Sequence, residues 1–336
     1  MRLPPEILYQ IFVFLNYIKK SYLHNCALVN RKWCILSIPL LWSNPFSEIS
    51  NKQINFINII EIYARFLDKD TKQYLNINSD DEKPIFNYFE FLNVLDLMNL
   101  NITVSNWISN NKFFDKDKMT FQVTYKLFEL FVKNCKNLIS ISLDTKSFKF
   151  SHRLEYLRFS SLNLKFLKLG KINNKDIIIK NLINTCKLIE EINITLLESD
   201  PSNIIDIISQ LVSKQKYLRK FYYNSLLISK FKTTTLIEAL LNIKRNSGNL
   251  AYIELCQCHF DGDIILYKFS CFMNLTIVIN NCKMLFKNNY EFINDDFIDK
   301  YFEYSPPKTD VFKFDDNKKT NTIIIRISLP FINENT

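Results

Sequence analysis

The sequence predicts an α/β chain: a three-helix unit at the N-terminus, followed by a curved solenoid with parallel strands on its concave side and helices on its convex side. Three observations predict this. Residues 3–42 carry apolar side chains at helical spacing, punctuated by Pro5, Asn16, Asn30 and Pro39. Behind them a fragment with apolar residues at i, i+3 and i+5 recurs between Leu92 and Leu255. Stretches of helical periodicity fill the intervals between the fragments.

Composition narrows the class. Hydrophobic residues make up 47% of 336, enough for a sizeable core and too many for wholesale disorder. With only three glycines, Gly170, Gly248 and Gly262, neither a dinucleotide fingerprint nor a phosphate-cradling loop can be assembled. The net charge is +9, yet no block of five or more Lys and Arg occurs. That pattern reads as lysines spread over solvated faces rather than as a nucleic-acid surface. The eight cysteines are scattered rather than framed. Leu3 to Leu15 is apolar, but Pro4, Pro5 and Glu6 and the lack of a small-residue cleavage site set it apart from a secretory leader. No apolar run approaches the roughly 18 residues of a membrane span. A reducing compartment, cytoplasmic or nuclear, with free buried cysteines is the expectation.

The opening unit follows from local rules. Pro5 suits the first turn of a helix, and Glu6 complements the positive helix end. Ile7, Leu8, Ile11, Phe12 and Leu15 then share one helical face, which Asn16 ends. Ser21 is the expected N-cap of a second helix carrying Leu23, Cys26, Ala27 and Leu28. Asn30 re-caps the chain before Arg31-Lys32-Trp33, and Pro39 is expected to limit the third helix, leaving Leu40, Leu41 and Trp42 behind it.

Leu3-Pro4-x-Glu6-Ile7-Leu8-x-x-Ile11-Phe12-x-x-Leu15, then Cys26-Ala-Leu-Val-Asn-Arg-x-Trp33, then Leu41-Trp42, resembles the F-box in order and spacing. The resemblance covers about one eighth of the chain. It implies a three-helix unit that binds a Skp-type adaptor and, through it, a cullin–RING ubiquitin ligase of the SCF type. By matching position it implies that Leu3, Pro4, Ile7, Leu8, Leu15, Val29, Trp33, Leu41 and Trp42 form the adaptor interface or its immediate support. Ser21 departs from the acidic residue many members place there. The residues alone point the same way, because about forty residues cannot bury this many apolar side chains internally, and a dense exposed apolar patch marks an interface.

After Asn44-Pro45, apolar residues from Ile54 to Leu67 give a loose helical period, read as a connector. Asp68 to Lys83 reads as an exposed loop and the preferred domain boundary, so that residues 1–45, 46–88 and 89–336 form F-box, connector and repeat region. Asn106 to about Thr120 reads as a second loop, an insertion.

The recurring fragment appears as Leu92/Leu95/Leu97, Leu138/Ile141/Leu143, Leu164/Leu167/Leu169, Ile189/Ile192/Ile194, Leu218/Phe221/Tyr223 and Leu250/Ile253/Leu255. From the second fragment on, the spacings are 26, 25, 29 and 32 residues. Helical stretches lie at 124–132, 177–183, 202–212 and 236–243, the last before Gly248 as a helix stop. Strand then helix at this period resembles the leucine-rich repeat, of which the chain would hold about seven diverged copies. Cys135 and Cys186 precede their fragments in one frame, as buried cysteines of such repeats do; Cys258 follows Leu255 by three, and Cys282 follows Ile279 by three. The rival reading, a metal site at Cys256-x-Cys258-His259 with Cys271 or Cys282, lacks the paired C-x₂₋₄-C spacing of zinc sites. No metal or other cofactor is therefore expected. His24, His152 and His259 lie in three separate contexts without a nucleophile motif, so no catalytic residue is nominated. The tail is read as a short helix around Asp295 to Phe302 and a final strand, Thr322 to Leu329, covering the open end.

In such a repeat the residue between the last two leucines faces the concave side, since strand side chains alternate. That nominates Lys168, Tyr222 and Glu254 as target-binding, with Ser142 and Asn193 in the same frame, and, two positions earlier on the same face, Phe166, Lys220 and Tyr252, with Glu191. Tyr156 and Arg158 join them if 154–159 is also a strand. The expected target is an acidic or phosphorylated protein segment. The resemblance thus implies a non-catalytic substrate receptor of an SCF-type ligase. An F-box scaffold acting outside a ligase is the alternative, and a basic nucleic-acid-binding solenoid a distant third.

Overall fold

The structure, a computed structural model, describes residues 3–47, 57–74, 84–111, 115–144, 163–172, 174–225, 233–261, 275–280, 283–286, 289–292, 309–313 and 322–327. The chain divides into two compact units, the first Met1–Lys146 with Tyr156–Asn163, the second Ser147–Glu155 with Leu164–Thr336. An N-terminal helical region precedes a mixed α/β region built on a parallel sheet.

The first unit opens with α1 (Pro5–Ile18), α2 (Lys20–Ala27) and α3 (Arg31–Trp42), which pack pairwise. Pro5 occupies the first turn of α1, as expected, while the helix runs two residues past Asn16 to Ile18. Ser21 does not cap α2. The extended Lys19, φ −164°, makes the break, and α2 begins at Lys20 without a side-chain cap. Asn30 does cap α3, its Oδ1 accepting from the Trp33 N–H at 2.9 Å. Pro39 does not end that helix. It lies one turn from the C-terminus, where only one backbone bond is forfeited, and the last turn is held by Trp42 wedged against Tyr63 and Tyr88. Tertiary packing overrides the local signal.

Then follow α4 (Ile57–Ala64), α5 (Lys69–Tyr74), a 3₁₀ turn (Tyr88–Glu90), β1 (Val94–Asp96), α6 (Leu97–Asn110), α7 (Lys116–Asn134) and β2 (Ser140–Leu143). The loop expected at 68–83 starts as helix: Asp68 accepts from the Thr71 N–H at 2.8 Å and caps α5. Residues 75–83 lie outside the described set. The division of the chain does not fall there, because Phe46, Tyr63, Phe89 and Phe131 form one buried aromatic cluster spanning that stretch. Nor is 106–120 an inserted loop. Residues 106–110 complete α6 and 116–120 begin α7, which Asp115, with a left-handed φ of 44°, caps by accepting from the Lys118 N–H. Leu97 is not a strand anchor either. Asp96 accepts from the Asn99 N–H at 2.9 Å and starts α6 at once, so β1 is only three residues long.

The second unit contains β3 (Phe166–Leu169), α8 (Lys175–Thr185), β4 (Glu191–Leu196), α9 (Ile204–Ser213), β5 (Lys220–Ser225), α10 (Thr234–Ser247), β6 (Tyr252–Cys256), β7 (His259–Asp261), β8 (Leu275–Asn280), β9 (Lys283–Phe286), β10 (Asn289–Phe292), β11 (Thr309–Lys313) and β12 (Thr322–Ile327). Strands β3, β4, β5, β6 and β8 run parallel in that order, each pairing with the next, and β7 is skipped between β6 and β8. β12 then pairs antiparallel with β8, and β11 with β12, so the edge of the sheet is β11 and not the final strand. A second small sheet holds β10, β9 and β7. The expected helix at 295–302 lies outside the described residues. Gly248 ends α10 with a left-handed φ of 67°, as its position predicts.

The repeating fragments are physically equivalent. Their anchors, from Leu138/Ile141/Leu143 to Leu250/Ile253/Leu255, are all buried. One residue after four of the leading anchors a carbonyl accepts two N–H groups of the next fragment: Asn93 from Ile139 and Ser140, Lys165 from Glu190 and Glu191, Glu190 from Arg219 and Lys220, Arg219 from Ala251 and Tyr252. The first of these steps is primed by Ser43 at the end of α3, whose carbonyl accepts from Asn93 and Val94. Asn137 donates to the Glu90 carbonyl at 2.8 Å, and Asn249, in the same frame, donates to the Lys216 carbonyl at 3.1 Å. Cys135 and Cys186 are the buried C-caps of α7 and α8. Their shared frame therefore reflects one helix-to-strand turn used twice.

Candidate docking surfaces

The three N-terminal helices keep little inside. Among residues 3–44 only Leu8, Phe12, Leu23 and Ser37 are buried. On α1, Ile7, Ile11, Phe14 and Ile18 recur at i, i+4, i+7 and i+11 and form one exposed stripe, 49%, 40%, 64% and 53% accessible. Tyr9, Val13 and Tyr17 are exposed on a second stripe of the same helix. Leu28 and Val29, after α2, are exposed as well. Fully burying a side chain of this size is worth about 1.5–3 kcal/mol, so a stripe of four is a large unspent association energy and the mark of an interface.

The nominated adaptor residues separate into two groups. Leu3, Pro4, Ile7 and Val29 are exposed and available to a partner. Leu8 is buried and supports the unit from inside, because it points to the side of α1 shared with Phe12. Leu15, Trp33 and Leu41 are half-buried, Trp33 resting edge-on against Phe12 with ring centroids 5.2 Å apart. Trp42 is turned inward: its ring lies 4.0 Å from Tyr88 and 5.4 Å from Tyr63. It joins α3 to the aromatic cluster rather than presenting itself to a partner. Phe14, Tyr17 and Ile18 lie outside the motif that Leu15 completes. The signal was present, since Phe14 and Ile18 continue the spacing from Ile7.

The second surface is the open face of the second unit's sheet. Along β3, β4, β5, β6 and β8 one alternate set of side chains is buried and the other is half-buried or exposed. Strand register sets the open set in rows: Phe166, Glu191, Lys220, Tyr252 and Thr276 in one, Lys168, Asn193, Tyr222, Glu254 and Val278 in the next. The nominated Phe166, Lys168, Lys220, Tyr222, Tyr252 and Glu254 are thus brought onto one face. Ser142 lies on β2 of the first unit, and Tyr156 and Arg158 fall outside the described residues.

The lysines of this face are not free charges. Lys220 Nζ lies 3.7 Å from Glu191 Oε2, and at the adjoining turn Lys165 lies 2.8 Å from Glu190. Tyr222 and Tyr252 meet diagonally across β5 and β6, ring centroids 5.3 Å apart and planes at 43°. Tyr252 donates its hydroxyl to Glu254 Oε2 at 2.8 Å, and the Cys256 thiol donates to Oε1 at 3.5 Å. Burial, then the bond to Glu254, push the Tyr252 hydroxyl far up; burial, then Glu191 and Glu254, raise that of Tyr222. Both therefore stay protonated donors.

Cys256 and Cys258 are separated by the left-handed Gln257, φ 53°, which ends β6. Cys256 is half-buried against Glu254 while Cys258 is buried. Among the described residues no group of three His, Cys, Asp or Glu could hold a metal ion, and no helix is long and apolar enough to cross a membrane. Cys271 and Cys282 lie outside the described residues.

Comparison with known families matches residues 1–48 to the F-box-like family, covering α1 to α3 and their C-terminal turn. F-box domains generally bind Skp-type adaptors, and the exposed α1 stripe lies inside the matched segment. No curated protein matches the chain.

Proposed function

We propose that this protein is the substrate-recognition subunit of an SCF-type cullin–RING ubiquitin ligase. Its F-box-like unit docks a Skp-type adaptor through the α1 stripe, and its α/β region, read as diverged leucine-rich repeats, captures a target protein on the open sheet face. The chain itself performs no chemistry in this reading. It acts in the cytosol or nucleus by raising the effective concentration of the target near the ligase's charged subunit.

The observation that carries the reading is the pairing of an F-box-like match with an α1 that leaves Ile7, Ile11, Phe14 and Ile18 uncovered. The repeat reading draws support from the buried anchors and from the equivalent Asn137 and Asn249 bonds. Affinity purification of the full chain tests it. Adaptor and cullin should co-purify, and Ile7→Asp with Phe14→Asp should abolish both while the thermal midpoint holds, since neither side chain is buried. Recovery of adaptor without cullin would point instead to a scaffold outside the ligase; recovery of neither would overturn the reading.

A further inference from the structure

The open face of β4 to β6 carries a charge that no described residue neutralises. Glu254 is half-buried, and both its oxygens accept from neutral groups, the Tyr252 hydroxyl and the Cys256 thiol. Among the described residues it has no cation partner; the nearby Lys220 is engaged by Glu191. A half-buried carboxylate held by neutral donors alone keeps a desolvation cost that a counter-charge would relieve. Beside it stand the rings of Tyr222 and Tyr252, whose faces attract cations. Two residues further along β5, Asn224 Oδ1 is buried without a hydrogen-bond partner among the described residues, and register sets Asn224 opposite Cys256. A carboxylate lacking a cation, two ring faces and an orphan acceptor thus lie within two residues of one another on adjacent strands.

We propose that this face binds an arginine side chain of an extended segment of the target protein, with Tyr222, Tyr252, Glu254 and Asn224 as its receptors. Charge complementarity selects the occupant. A guanidinium carries five donors and no acceptor, stacks on aromatic rings and pairs with a carboxylate, so one group answers all three features. A lysine ammonium supplies the charge but not the planar stacking. An acidic or phosphorylated segment, expected from Lys168 and Lys220 in the sequence, would meet Glu254 directly and find Lys220 already paired. Lys168 stands three strands from Glu254, on the order of 14 Å at the usual strand spacing. The overall charge of +9 repels cationic peptides at long range, so any preference for arginine must arise locally.

This inference rests on the reading of the sheet as the target-binding module. The test uses the full chain against immobilised Gly/Ser/Ala nonapeptides carrying two arginines, two lysines, two glutamates or two phosphoserines, measured by biolayer interferometry. The arginine peptide should bind best. Glu254→Gln and Tyr222→Leu should each weaken it about tenfold, and Glu254→Lys should transfer preference to the phosphoserine peptide. A preference for glutamate or phosphoserine in the unaltered chain, equal binding of all peptides, binding of none, or indifference to Glu254→Gln would overturn the proposal. Ile7→Asp run in parallel separates the two readings. Adaptor capture without arginine selection removes only this inference. Arginine selection without adaptor capture removes the ligase assignment and leaves the site.

Discussion

The Nε2 of Gln215 donates to the backbone carbonyl of Cys186 at 3.0 Å, joining two successive strand-entry turns of the second unit through one buried side chain. The same amide group donates to the Leu211 carbonyl at 3.0 Å, and its Oε1 accepts from the Ile189 N–H at 3.1 Å. Gln215 precedes Leu218 by three, the position Cys135 and Cys186 hold before their own anchors. Where those cysteines fill space, Gln215 satisfies backbone groups of its neighbour. Gln215→Leu should therefore destabilise the chain by about 2–4 kcal/mol by orphaning a buried N–H and a carbonyl. Urea unfolding checks it, and a loss below half a kcal/mol would contradict the role.

Lys175 and Asp200 form a fully buried ion pair at 2.8 Å, and Asp200 Oδ2 also accepts from the Leu197 N–H at 2.7 Å. Removing the acid takes the paired carboxylate from a buried cation, which costs about 3–5 kcal/mol in comparable sites. Asp200→Ala should lower the unfolding free energy by that order, and Asp200→Asn by less, because Asn still accepts from Leu197. Equal losses for the two variants would show that the charge is unimportant.

Tyr63 is wholly buried in the aromatic cluster, its hydroxyl lacks a hydrogen-bond partner among the described residues, and burial raises its pKa well above 10. Tyr63→Phe keeps the ring against Trp42 and Phe131 and removes the stranded oxygen. Stability should hold or rise by about 1 kcal/mol. Tyr63→Ala should cost about 3–5 kcal/mol by opening a cavity. A loss above 1 kcal/mol in the Phe variant would mean the hydroxyl has a function in the fold.

Burial pushes the Cys135 thiol up to about 12 from 9.0. The folded chain holds this proton more tightly than the unfolded one. Its contribution to stability is thus full below pH 9 and is lost as pH climbs through about 12. Cys186 shifts in the same direction through burial. Native protein at pH 8 should leave both thiols unreacted with iodoacetamide until denaturant is added. Rapid native alkylation, mapped by mass spectrometry, would exclude that environment.

The strands from 138 to 255 were legible in the sequence because period-two burial leaves an alternation that only a strand satisfies, and their anchors proved buried. Helix limits were less legible. Asp96 and Asp115 cap α6 and α7 by accepting from the N–H three residues on, yet the sequence pattern places them in a strand and a loop. A side-chain cap is decided by backbone angles, such as the left-handed Asp115, that composition does not announce. Trp42 illustrates the converse. Its place in the N-terminal motif was readable, but its inward orientation depends on Tyr63 and Tyr88, residues 21 and 46 positions away.

By itself the sequence determined the strands from 138 to 255, the F-box-like opening and the alternation of the sheet, because each is encoded in short-range spacings of apolar residues. Only the tertiary structure decided that α1 presents Ile7, Ile11, Phe14 and Ile18 outward while Leu8 and Phe12 turn in. It alone set Tyr222 and Tyr252 beside Glu254 and committed Lys220 to Glu191. The physical reason is register. A one-residue slip of β5 against β6 would turn the open set of side chains inward and dissolve the cluster, and that register is held by the bonds of Arg219 to Ala251 and Tyr252.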